Sequence, residues 1–463
     1  MKINSLNMSG KSVAVVGMGD SGTAVARWFT GHDEVHRLVL CDSRSEPPRA
    51  DVLREEMPHA SWRLGGFRTD SFSDCDVLVM SPGVPVSTPA IAEFAQRGGE
   101  VIGDVELFAR AIAGSGCKVI AITGSNGKST VTELVGHLCR EAGLDTVVAG
   151  NIGLPVMAAL RERKTAGSLP DVFVLELSSF QLETTFSLHP DAATVLNISE
   201  DHLDRYRDLL AYADSKACIF NGEGVQIINR DDVFVRAMAR AGRVQREFSL
   251  KSLQADYALH EKDGAYFLCV QGQPVLNFAQ MKLPGLHNAA NALAALALCE
   301  AIDLPREALL TGLQSFRGLP HRVEFVRTIG GVDFFDDSKG TNVGATEAAL
   351  NGMVRPVVLI AGGDGKGQDF SPLLPALQRI GRAVVLIGRD APVIRSALAG
   401  LTVPIISCGT LEEATRMAFS QAQSGDAVLL SPACASLDMF RNYSHRADVF
   451  IAECHQIAAE QGA

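Results

Sequence analysis

The sequence predicts an α/β protein of three domains with mostly parallel sheets. Three observations carry that reading. The chain has 463 residues, and at roughly 150 residues per domain about three cores are expected. Its apolar runs are short, β-branched and free of alternation, as in strands buried on both faces. Amphipathic stretches of helical length lie between many of them, as crossover connections require.

In chain order, Val13–Val16 runs into Gly17-Met18-Gly19, Leu38–Leu40 into Asp42, and Val77–Met80 into Ser81-Pro82-Gly83. Val119–Ile122 runs into Thr123-Gly124, Val172–Leu175 into Glu176, and Ala193–Leu196 into Asn197. Val357–Ile360 meets Ala361-Gly362-Gly363, Val384–Ile387 meets Gly388-Arg389, and Ala427–Leu430 meets Ser431-Pro432. Gly22–Thr30 and Ser129–Ala142 read as two of the helices. Ligands of such sheets collect at the carboxyl ends of strands, where the unusual residues sit. The blocks divide as 1–106, 107–318 and 319–463. Within the second, 225–282 carries short pieces such as Ala265–Val270 and reads as an antiparallel extension or a small separate sheet.

Composition excludes several classes. Apolar residues make up 47% and charged residues 21%, a globular balance. The net charge of −11 lacks the basic face of a nucleic-acid binder, so no nucleic acid is expected. The ten cysteines form no C-x-x-C pair, which argues for reduced thiols and against a zinc cage. The start of the chain lacks a signal-peptide apolar region, and no run of about 20 apolar residues exists. A cytoplasmic protein, a monomer and no membrane association are expected.

Gly124-Ser125-Asn126-Gly127-Lys128-Ser129-Thr130 follows a strand and opens a helix. Glycines let backbone N–H groups curl around phosphate oxygens, and the helix N-terminus adds favourable partial charge. Lys128 is placed for the β/γ-phosphates, and Ser129 or Thr130 for Mg²⁺. Ile122 stands where the full spacing has glycine. Gly17-Met18-Gly19-Asp20-Ser21-Gly22, with Asp42 about 20 residues on, fits a dinucleotide fingerprint. The loop reads phosphate and not base, so a nicotinamide cofactor or another nucleotide diphosphate is open. Glu176 suits Mg²⁺ beside the phosphate loop, or is a solvated carboxylate. The acidic cluster holding His202 offers a metal ligand or proton carrier, or a helix cap. Asn288 and Asn291, at i and i+3, suit a base edge or capping. Lys366, in a glycine-rich loop without a following Ser or Thr, suits a carboxylate. Cys434 has no general base spaced near it and reads as a buried thiol. The polar run Asp337–Asn342 carries no role from physics alone.

Taken in order, these motifs resemble the Mur ligase family across nearly the whole chain. The threonine-led loop Thr123–Ser129 is that family's phosphate loop, which accounts for Ile122. Leu175–Glu183, Glu200–Tyr206, Gly318–Arg322, Asp337–Asn342 and Ser431–Asp438 are most similar to the branch that adds D-glutamate. The aspartate-asparagine-proline-arginine motif of diaminopimelate-adding relatives is absent.

The resemblance implies a Rossmann-like N-terminal domain for a UDP sugar, a P-loop mononucleotide-binding central domain for ATP, and a Rossmann-like C-terminal domain for an amino acid. It turns the first glycine loop from a nicotinamide to a UDP site, with Ser21, Asp42, Ser43, Arg44 and Gly83. Asn151 and His202 would touch the muramoyl part of UDP-N-acetylmuramoyl-L-alanine. ATP would meet Gly124 to Thr130, with Lys128 and Ser129 at phosphate and metal. Asn288 and Asn291 would face adenine, Asp337 the ribose and Arg322 the γ-phosphate. Thr341 and Lys366 would hold the α-carboxylate of D-glutamate. Ser436 and Leu437 would hold its side chain, and Tyr443 stands where relatives carry Phe. Two Mg²⁺ ions are implied, held by Ser129, Glu176, His202 and Lys216. The lysine would carry a CO₂-derived carbamate, where unaided reading gives a helix-surface lysine. Lys128, His202, Lys216 and Arg322 form the implied catalytic set for amide synthesis through an acyl phosphate. The alternatives are a folylpolyglutamate-synthase-like ligase, a nicotinamide-dependent oxidoreductase and a non-catalytic nucleotide-binding module.

Overall fold

The computed structural model describes residues 8, 10–30, 35–201, 205–283 and 285–461. Among these residues the chain forms three sheets, each from a continuous stretch of sequence. The first holds β1 (Ser12–Val16), β2 (Arg37–Asp42), β3 (Ser61–Leu64), β4 (Val77–Met80) and β5 (Glu100–Gly103). All are parallel, in the order β3-β2-β1-β4-β5. The order reverses between β1 and β4, so the Gly17 loop and Ser81–Gly83 share one end of the sheet.

The second sheet holds β6 (Lys118–Thr123), β7 (Thr146–Gly150), β8 (Val172–Glu176), β9 (Ala192–Val195), β10 (Val225–Asn229), β11 (Gln245–Ser249), β12 (Tyr257–Lys262), β13 (Ala265–Val270) and β14 (Gln273–Asn277). Its order is β14-β13-β12-β11-β10-β9-β6-β8-β7. Only the β12-β13-β14 end is antiparallel. The stretch 225–282 therefore extends the central sheet and is not a separate one. β6 lies between β8 and β9, which brings the phosphate loop, Glu176 and Asn197 to one edge.

The third sheet holds β15 (Glu324–Ile329), β16 (Val332–Asp336), β17 (Val357–Gly362), β18 (Gly381–Ile387), β19 (Ile405–Ser407) and β20 (Ala427–Leu430). Its order is β15-β16-β20-β17-β18-β19, with β15 antiparallel to β16. The third sheet has apolar clusters on both faces, made from its own block of sequence.

The first two sheets share a core. Leu107 and Phe108 of the helix Asp104–Ile112 pack in one cluster with Val79 of β4 and Phe173 of β8. That helix follows β5 directly, so residues 106 and 107 lie within a helix. Its buried Glu106 accepts from the backbone of Phe186 (2.7 Å) and Ser187 (2.8 Å), and from Arg110 Nε (2.8 Å). Among the described residues no helix is long and apolar enough to cross a membrane.

Candidate active site

The loop after β6 opens the helix Lys128–Glu141, with Gly127 at its N-cap in the left-handed region, φ +82°. A Cβ on Gly127 would lie 2.7 Å from Asn291 Oδ1, so the loop and the alanine-rich helix Leu286–Ala301 approach only because residue 127 is glycine. The next strand end braces the loop. The Asn126 N–H donates to Asn197 Oδ1 (2.8 Å), and Asn197 Nδ2 returns to the Asn126 carbonyl (3.1 Å). Lys128 Nζ folds back onto the carbonyls of Gly124 (2.8 Å) and Ser125 (2.9 Å). Burial lowers its pKa, against the pull of Glu176 and Asp201.

Lys216 is 1% exposed, on the helix Leu209–Ala217. Its Nζ donates to Thr123 Oγ1 (3.2 Å) and sits 4.7 Å from the Tyr212 ring centre. Burial first, and then Lys128, press its pKa well below the ordinary value. Reading it as a helix-surface lysine is therefore wrong: this face of the short helix turns inward onto the phosphate loop. Glu176 is also buried. Its Oε1 accepts from Asn151 Nδ2 (2.7 Å), and its Oε2 has no hydrogen-bond partner among the described residues. A buried carboxylate oxygen without a donor beside the Ser129 loop fits a divalent cation. His202 lies outside the described residues.

A cavity of about 370 Å³ opens beside this loop. Asn126, Gly127, Thr130, Asn288, Asn291, Arg322 and Asp337 line it, whereas Gly124, Ser125, Lys128 and Ser129, also expected at ATP, are not among its lining residues. Asn291 Nδ2 donates to Asn288 Oδ1 (3.0 Å). Burial raises the Asp337 carboxyl to about 7, although Arg322 and the Ser431 hydroxyl (2.7 Å) favour its charge.

A second cleft, about 1140 Å³, lies between the first two sheets, lined by Ser21, Gly83, Asn151 and Gln181 among others. Asp42, Ser43 and Arg44 are not among its lining residues. Asp42 accepts from the Met18 N–H (2.7 Å) and pairs with Arg44 (2.8 Å), and so braces the glycine loop.

The five residues expected at D-glutamate come from three loops and a helix start of the third sheet. Ser436 is buried, Thr341 half-buried and Leu437 73% exposed. Lys366 Nζ lies 3.7 Å from Asp201 Oδ1 of the central domain, and Asn342 Nδ2 lies 3.5 Å from Asp201 Oδ2. Tyr443 begins the helix Tyr443–Glu460. Cys434 is fully buried, with its thiol pushed up to about 12, consistent with a core thiol.

Lys339 was not singled out by its sequence context. Its Nζ reaches the Ser129 hydroxyl (3.0 Å) and stands 5.4 Å from the Tyr443 ring centre. Burial, then Arg322, lower its pKa to about 8. A lysine inside a polar run gives no signal by itself; only the packing of two domains reveals it. His287, at the cavity wall, is likewise driven down to about 4 by burial and Arg322.

Residues 11–103 match the family model for the Mur ligase MurD-like N-terminal domain, 122–299 the Mur ligase middle domain, and 321–434 the Mur ligase glutamate ligase domain. A UDP-N-acetylmuramoylalanine–D-glutamate ligase of Chromobacterium violaceum is 61% identical over 96% of this chain and 98% of its own length. The protein of that name from Thiobacillus denitrificans is 53% identical over 100% of this chain and 99% of its own. Among solved structures, the UDP-N-acetylmuramate-alanine ligase MurC of Thermotoga maritima superposes with a TM-score of 0.60 at 19% identity, covering 96% of this chain and 99% of that one. That likeness speaks to the fold alone.

Proposed function

The chain belongs to the Mur ligase family, and on that premise we propose that it is an ATP-dependent, ADP-forming ligase that joins D-glutamate to UDP-N-acetylmuramoyl-L-alanine in peptidoglycan precursor synthesis. One observation carries the reading. The phosphate-loop Ser129 meets Lys339 of the amino-acid domain, and Glu176 accepts from Asn151 at the wall of the second cleft, in a chain whose full-length relatives bear that reaction's name. We divide it into domains 1–106, 107–318 and 319–463 and place it in the cytoplasm, where its ATP is.

A carboxylate is a poor electrophile, so it must first be activated. In this reading the substrate carboxylate attacks the γ-phosphate of ATP, giving an acyl phosphate and ADP. The D-glutamate amine then attacks the acyl carbon, and phosphate leaves through a tetrahedral intermediate. Lys128, Arg322 and Lys339 spread the charge that develops on the transferring phosphoryl group. Asn288 and Asn291 hold adenine and Asp337 the ribose. Ser21 and Gly83 hold the UDP part, and Asn151 the muramoyl part. Asp42, Ser43 and Arg44 also face the UDP diphosphate and uracil, with Asp42 bracing the glycine loop through Met18. Thr341, Lys366, Ser436, Leu437 and Tyr443 hold D-glutamate. Contact between Lys339 of the third domain and Ser129 of the phosphate loop supports a closed cleft that would exclude water from the acyl phosphate.

Mg²⁺ supplies charge neutralisation on the phosphates when bound. Ser129, Glu176 and His202 would hold it, with Lys216 as a fourth ligand once carbamylated. Burial, then Lys128, lower the Lys216 pKa and so favour the neutral amine, the form that reacts with CO₂. Withdrawal of bicarbonate should then lower turnover of the parent and leave a Lys216→Ala variant unaffected at its residual level.

The test is phosphate release from ATP and Mg²⁺ with UDP-N-acetylmuramoyl-L-alanine, with and without D-glutamate, beside L-glutamate and folate controls. Release that requires both the UDP substrate and D-glutamate supports the reading. Hydrolysis indifferent to D-glutamate overturns it, and release driven by a folate favours the folate ligase.

A further inference from the structure

Arg446 lies in the helix Tyr443–Glu460 and is fully buried. Large buried cations are normally paired with a carboxylate. Among the described residues none of the hydrogen bonds recorded for Arg446 goes to one. Its Nε donates to Ser338 Oγ (3.0 Å), Nη2 to the Ser338 carbonyl (2.7 Å), and Nη1 to the Cys434 carbonyl (3.2 Å). Ser338 Oγ in turn donates to the Tyr443 carbonyl (2.8 Å). One guanidinium thus ties its own helix to the Ser338 segment, 108 residues away, and to the Cys434 loop.

Those segments carry the residues placed at D-glutamate. Ser338 stands three residues before Thr341 and one before Lys339. Cys434 stands two before Ser436. Ala435, next to it, exchanges backbone hydrogen bonds with Asp364 (3.0 and 2.8 Å), which fixes the loop of Lys366. Tyr443 is one turn upstream on the arginine's own helix. Burial lowers the guanidinium to about 10, so it stays protonated at neutral pH.

We infer that Arg446 is the positioning residue of the amino-acid site: its planar fork sets the mutual spacing of the Thr341, Ser436 and Tyr443 segments and so governs affinity for D-glutamate. The inference rests on the ligase reading above. A fixed fork makes three divergent bonds that a flexible ammonium cannot reproduce, so lysine is no substitute here.

The experiment measures KM for each of the three substrates and kcat in the full chain, for the parent, Arg446→Lys and Arg446→Ala. The expected result is a rise in KM for D-glutamate of about tenfold or more in Arg446→Lys. KM for the UDP substrate should stay within about twofold, because its cleft is not built on these segments; KM for ATP should rise less than KM for D-glutamate, since of the ATP-side residues only Asp337 and Lys339 flank Ser338. Added guanidinium ion should restore part of the D-glutamate affinity in Arg446→Ala. If the alanine variant does not fold, the lysine variant decides the matter. A D-glutamate KM within twofold of the parent in Arg446→Lys overturns the inference. So does an equal rise in all three KM values, the mark of general destabilisation. A parent indifferent to D-glutamate sinks the ligase reading, and this inference with it.

Discussion

Replacing Lys339 with methionine should stabilise the ligand-free chain while nearly abolishing turnover. In the folded chain the ammonium titrates at about 8 instead of 10.5, chiefly through burial. At about 1.4 kcal/mol per pH unit, that gap is a destabilisation of about 3 kcal/mol by the charged form. The sign follows from proton counts. Between about pH 8 and 10.5 the unfolded chain holds the proton more tightly than the folded one, so stability rises with pH there. The cost is fully present below about pH 8 and gone above about pH 10.5. Methionine has a similar length and no charge, so Lys339→Met should raise the apparent Tm by roughly 5 °C near neutral pH. That advantage should shrink as the pH approaches 10. Turnover should fall by about a hundredfold or more, because a cation aimed at the transferring phosphoryl group is lost. Thermal scans near pH 7 and pH 10, with phosphate-release assays on the same samples, measure both. A variant less stable than the parent near pH 7, a Tm difference independent of pH, or turnover within twofold of the parent would refute the reasoning.

Three further outcomes follow from the same geometry. Glu176→Gln keeps an oxygen for the Asn151 amide but removes the charge of the unpartnered Oε2; the Mg²⁺ concentration for half-maximal rate should rise and turnover drop about a hundredfold, and an unchanged Mg²⁺ titration would count against the metal role. The raised Asp337 carboxyl, at about 7, contributes stability that is present below about pH 4 and lost as pH rises through 7; Asp337→Asn should flatten that slope in thermal scans and raise KM for ATP about tenfold. Tyr443 presents its ring face to Lys339, so Tyr443→Phe should leave KM for D-glutamate within about threefold, whereas Tyr443→Ala should raise it about tenfold.

Buried strands were the legible ones. Val77–Met80 and Ala427–Leu430 have the bounds read from their apolar runs. β3 and β19, at sheet edges, are at most half-buried and show no run longer than two apolar residues, and edge strand β7, mostly half-buried, has only the short run Val147–Ala149. An edge strand buries one face or less, so its sequence need not be apolar throughout. The same division holds in the site. Lys128 announces itself because glycines and a helix start must surround it within a few residues. Lys216, Lys339 and Arg446 are chemically ordinary in their own segments. They acquire a role only from residues about 90 to 210 positions away, such as Thr123 and Ser129, a distance over which local pattern carries no information.

The crowding of cations gives domain closure a direction. Lys128 and Lys216 belong to the central domain, and Lys339 and Lys366 to the third. Each of the first three loses charge stability through burial, and Lys128 itself disfavours charge on both Lys216 and Lys339. Against them stand Glu176 and Asp201. Without phosphates, bringing Lys339 onto Ser129 therefore sets like charges together in a poorly solvated space. In the proposed mechanism a nucleotide triphosphate would reverse that sign, since its negative charge would lie between Lys128 and Lys339. Closure and ATP binding must then favour one another by the same free energy, since linkage is reciprocal. Lys339→Met, which weakens the repulsion in the empty site, should for that reason also make closure less dependent on ATP.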